Sequence, residues 1–138
     1  MEDPPAPDSL GSEAVLAQLA AAADLTLKPL RHGVRFCADP PPGNGGWNDC
    51  CLQIEARSAA GERIQRADLE LEIYRSGGEL NLMLSRVSDE HAPLLWHGNH
   101  PVWMQPTSGE RCARPADGAP LEAFCRRVRA LLAALMPP

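Results

Sequence analysis

Residues 50–57 read CCLQIEAR, residues 67–74 read ADLELEIY and residues 80–85 read LNLMLS. In the first run Cys50, Leu52, Ile54 and Ala56 alternate with Cys51, Gln53, Glu55 and Arg57; in the second, Ala67, Leu69, Leu71 and Ile73 alternate with Asp68, Glu70, Glu72 and Tyr74. The third sets Leu80, Leu82 and Leu84 against Asn81, Met83 and Ser85. A strand turns successive side chains to opposite faces, so three runs of period two predict an antiparallel sheet with one buried face. Between the runs lie Ala60-Gly61-Glu62 and Ser76-Gly77-Gly78, the second of which predicts a tight hairpin.

Working outward, Ser12 caps a helix expected over 12–23, with Glu13 in its first turn and Val15, Leu16, Leu19, Ala20 and Ala23 on one face. Leu25, Leu27, Val34 and Phe36 suggest a strand or bent hairpin over 25–38, with Pro29 at an edge or bend. At the other end Pro120 opens a helix expected to run to Pro137, with Leu121, Phe124, Cys125, Val128, Leu131, Leu132 and Leu135 on one stripe. The expected architecture is α+β: an antiparallel meander sheet of three to five strands, covered on one face by an N-terminal and a C-terminal helix.

The 14 prolines and 11 glycines exceed average usage, but none of the prolines lies between Pro42 and Pro93. The breakers mark a disordered tail over 1–11, a loop at 39–46 and a second at 88–119 with room for a strand through Val102-Trp103-Met104; residues 12–138 form one domain. In layout alone, with no shared motif, the chain is similar to bacterial secretion chaperones, and a layout does not fix function.

Composition narrows the function. The net charge of −5 and the lack of a basic stripe, apart from Arg126, Arg127 and Arg129, argue against nucleic acid. No apolar run reaches bilayer-spanning length, and the acidic, proline-rich start is unlike a secretory signal, so a cytoplasmic protein is expected. Arginine dominates over the single Lys28 and alanine is abundant, which reads as a high-GC coding bias rather than as function; a bacterial protein is expected. Five cysteines without scaffold spacing read as free thiols.

The segment Trp96-His97-Gly98-Asn99-His100-Pro101-Val102-Trp103 is the candidate ligand or partner surface, through Trp96, His97, Asn99, His100 and Trp103. Two histidines three apart could hold a metal, but the spacing fits no zinc signature, and tryptophans packed over one end of the sheet explain it as well. Asp68, Glu70 and Glu72 form an acidic row on the open sheet face; interleaved Arg57, Arg66 and Arg75 make cross-strand charge pairs the simpler account, with docking of a basic partner the alternative. Cys50 reads as core and Cys51 as facing the other side, so the pair forms no chelate. Gly43-Asn44-Gly45-Gly46 lacks the helix and lysine of a phosphate loop, and Ser85, Ser88, Asp89 and His91 lack a nucleophile elbow.

The expectation is thus a non-enzymatic protein-binding module, an assembly factor or chaperone-like adaptor, monomeric or homodimeric. No catalytic residue, metal or cofactor is assigned. The alternative is a small-ligand site or small enzyme built on the Trp96–Trp103 segment.

Overall fold

A computed structural model describes residues 12–37, 47 and 49–135. The expected tail over 1–11, the loop at 39–46 and the helix end at Pro137 lie outside the described residues. Helix α1 (Ser12–Thr26) leads into strands β1 (Arg31–Phe36) and β2 (Asp49–Arg57). A single 3-10 turn (Gln65–Ala67) precedes β3 (Leu69–Ser76) and β4 (Glu79–Arg86). Two short strands, β5 (Leu94–His97) and β6 (Pro101–Met104), and helix α2 (Gly118–Leu135) complete the order. The strands form one sheet in sequential order, each antiparallel to the next.

The fold is therefore α+β with an all-antiparallel meander, but it has six strands among the described residues rather than three to five. Two of them, β5 and β6, fall within residues 88–119, where one strand at most was expected. They are four residues each, too short for an alternation to stand out, and Leu94-Leu95 places apolar side chains on both faces. The other difference is at α1, which continues through Thr26 and takes Leu25 into its exposed side. Thr26 Oγ1 donates to the Ala22 carbonyl at 2.8 Å in that last turn. The helix stops two residues before Lys28-Pro29, because a residue preceding proline is driven out of the helical region.

The β3–β4 hairpin follows from its turn. Gly77 and Gly78 have φ of +60° and +84°, the pair of positive values that a two-residue turn matched to strand twist requires, and Ser76 pairs with Glu79 across it. That turn fixes the register, which lines up one row of apolar side chains across the sheet: Phe36, Leu52, Leu71, Leu84, Leu95 and Trp103. Buried residues of α1 (Val15, Leu19, Ala22, Ala23) and of α2 (Leu121, Phe124, Cys125, Val128, Leu132) join this row in a single hydrophobic core. Pro120 sits in the first turn of α2, where its missing N–H has no intrahelical acceptor to lose.

Candidate functional site

The Trp96–Trp103 segment is a hairpin, and its alternation splits the expected site residues between two faces. On one face, Trp96 stands opposite Met83 and Val102, and its indole N–H donates to Tyr74 Oη at 3.0 Å. A Cβ at Gly98 would come within 3.1 Å of the Trp96 ring and 3.2 Å of Asn81 Oδ1, so any larger residue would push the ring by a few tenths of an ångström. Asn99 and His100 are exposed in the turn. With Trp96 they line a shallow cleft closed by Glu79, Asn81 and Arg111.

His97 and Trp103 go the other way. Trp103 is only 6% exposed, and its indole N–H donates at 2.7 Å to Glu122 of α2, whose other oxygen accepts from Arg114 at 3.3 Å. His97, 3% exposed, holds Nδ1 at 3.0 Å from the Gly98 carbonyl. Since a carbonyl only accepts, Nδ1 carries the proton. Burial, with Arg129 and Arg126 nearby, pushes the imidazole pKa down and keeps the ring neutral. The His97 and Leu80 carbonyls both accept from Arg129. These two residues serve the join between sheet and α2, and His97 and His100 do not converge.

The acidic trio is also divided. Asp68 lies just before β3 and is 4% exposed. Its carboxylate accepts two 2.8 Å bonds from Arg63 and one from the Ala56 N–H, also 2.8 Å. The Arg63 guanidinium holds its carboxyl below the usual carboxylate range, against burial pushing it up. This residue locks the β2–β3 connection. Glu70 is half-buried and faces cysteines, and Glu72 alone of the three is exposed. On this face Arg35 and Arg63 meet Glu55 at 2.8 and 3.1 Å.

Sequence reading missed one constellation. Cys37, directly after β1, bonds through its N–H to the Cys51 carbonyl at 2.9 Å, so the two side chains are cross-strand neighbours. Both thiols donate to the same Glu70 oxygen, at 3.7 Å from Cys37 and 3.4 Å from Cys51. Glu70 reaches them from β3, where it pairs with Gln53. Desolvation, then the neighbouring Cys37 and Glu70, pushes the Cys51 thiol well above its ordinary range; Cys37 is raised chiefly by desolvation. Burial pushes Cys50 and Cys125 up to about 12. None of these four thiols is poised as a nucleophile at neutral pH. Only the β1–β2 register brings Cys37 to Cys51, and no sequence spacing reports it.

Beside that cluster, towards β6, the same face is largely apolar, with Asn81 and Ser85 set among its side chains. Tyr74, Met83, Leu94, Trp96, Val102 and Met104 are half-buried and adjoin one another through the β3–β6 register. Glu72 and Glu79, both exposed, border them. No helix among the described residues is long and apolar enough to cross a membrane.

These features define a small α+β protein whose six-stranded meander carries an apolar stripe bordered by Glu72, Glu79 and Arg111 on one face. The chain belongs to the family described as Domain of unknown function (DUF8659), which matches residues 16–131. No curated protein and no solved structure matches it.

Proposed function

We propose that this is a non-enzymatic module that binds another protein, an assembly factor or chaperone-like adaptor of the bacterial cytoplasm. In this reading α1 and α2 cover one sheet face, and the other is left for the partner. The observation that carries it is the stripe of Tyr74, Met83, Leu94, Trp96, Val102 and Met104. Interface cores are enriched in aromatics and methionine and poor in charge, and a rigid sheet presents such side chains at little entropic cost. Glu72 and Glu79 outnumber Arg111 at its border, and with the net charge of −5 they favour a partner segment that is apolar and basic.

The full chain, used as bait in a native lysate, recovers a stoichiometric partner that slows amide exchange in β4–β6. A protein that stays alone, or a partner that protects only α1 or α2, would count against the proposal. A second reading has one observation in its favour: Trp96, Asn99, His100, Glu79 and Arg111 surround a single concavity. It predicts a small ligand whose binding quenches Trp96 fluorescence and is lost in His100→Ala.

A further inference from the structure

We propose that Cys37, Cys51 and Glu70 form a binding site for a thiophilic divalent cation of the zinc class. The three side chains come from the ends or middles of three adjacent strands and bring two sulfurs and an oxygen within 4.8 Å of one another. The two sulfur–oxygen separations are close to those around a bound ion. With Zn–S bonds of about 2.3 Å and Zn–O of about 2.1 Å, a tetrahedral site has S···O edges of about 3.6 Å and an S···S edge of about 3.8 Å. The observed S···O edges are 3.7 and 3.4 Å. The site needs little rearrangement, because the β1–β2 and β2–β3 ladders already hold all three backbones in place.

The chemistry of the donors selects the ion. Two sulfurs with one carboxylate oxygen suit zinc or cadmium and are poor ligands for magnesium or calcium. In the metal-free protein each thiol keeps its proton and donates it to Glu70. On binding, two S–H bonds break, two metal–sulfur and one metal–oxygen coordinate bonds form, and both protons pass to solvent. Nothing is oxidised or reduced. A thiol with an ordinary pKa of about 8.5 is protonated at neutral pH, so binding releases close to two protons. Among the described residues, Glu70 on β3 and Arg35 on β1 are the charged groups that bear on the Cys37 thiol, and Arg35 is already engaged by Glu55. The described residues supply three ligands, which leaves a fourth coordination position on the exposed Cys37 side.

The test uses the full, reduced chain and cadmium alone. One equivalent produces the ultraviolet band of a cadmium–thiolate bond and releases two protons into weak buffer. Cys37→Ser, Cys51→Ser and Glu70→Gln each weaken binding by at least about tenfold, the loss seen on removing even an outer partner of a metal ligand. Cys112→Ser binds as the parent does. Thermal melts of every variant without metal show which remain folded, and added zinc raises the melting temperature of the parent but not of folded Cys51→Ser. A thiolate band that survives in the Cys37→Ser/Cys51→Ser double variant overturns the proposal, as does no band at all with every thiol reduced.

Discussion

Replacing Asp68 by asparagine separates a fold lock from a docking face. The side chain keeps its shape, and its single remaining carbonyl oxygen still serves the Ala56 N–H, which the carboxylate meets at 2.8 Å. What it loses is the second acceptor for Arg63, where an amide NH2 now faces a guanidinium N–H that sat at 2.8 Å from Oδ2. A hydrogen bond to a charged group contributes about 1.5–3 kcal/mol, and breaking a buried pair costs about 3–5 kcal/mol when it strands the partner. Arg63 is not stranded, because Glu55 remains 3.1 Å away. The loss should therefore lie near the lower figure, about 2–3 kcal/mol, or roughly 8–12 °C in melting temperature for a domain of this size. The acid limb gives a second readout. The Asp68 pKa is lowered on folding, so its contribution is present above the unfolded carboxylate pKa of about 3.9 and is lost as pH falls through the folded value. In Asp68→Asn the decline of stability below about pH 4 should be shallower than in the parent. Urea unfolding at several pH values measures both. A change within about 0.5 kcal/mol with an unaltered acid limb refutes the lock, since that is the range of an ordinary surface substitution.

The remaining predictions concern the join between sheet and α2. Trp103→Phe removes the 2.7 Å donor to buried Glu122 and leaves a void at the core edge, and should cost about 2–4 kcal/mol by urea unfolding. His97 has a lowered pKa in the fold, so the unfolded chain takes up its proton first; stability should begin to fall as pH drops below about 6.5. That fall should flatten in His97→Gln, and an unchanged profile between about pH 6.5 and 5 would show that the ring is not shielded as described.

The parts legible in the sequence are those where a local rule and the tertiary demand agree. In β2, β3 and β4 the Leu/Ile alternation is long enough to identify a face, and Gly77-Gly78 can close only a narrow set of turns. The stripe of α2 repeats over four turns around Phe124, Val128 and Leu132. The candidate site was less legible because it depends on parity through a turn. Trp96 and Trp103 look equivalent in sequence, yet the three-residue connection Gly98–His100 sends one to each face. Asp68, Glu70 and Glu72 share a period of two, but Asp68 precedes the strand and is drawn inward by Arg63 and the Ala56 N–H. Cys37 and Cys51 meet only through pairing across a connection whose length says nothing about register.

The central claim is that the apolar face of the sheet binds a protein, and a double substitution on it is the most direct test. Met83 and Trp96 are neighbours across β4 and β5, both half-exposed, so Met83→Arg/Trp96→Arg puts two cations on the stripe without entering the core. The parent chain and this variant, with matched melting behaviour, are compared as baits in the same native lysate beside Arg127→Ala on the exposed side of α2. The account predicts a stoichiometric partner with the parent and with Arg127→Ala, and its loss from the double variant. Retention of that partner by the folded double variant would contradict it.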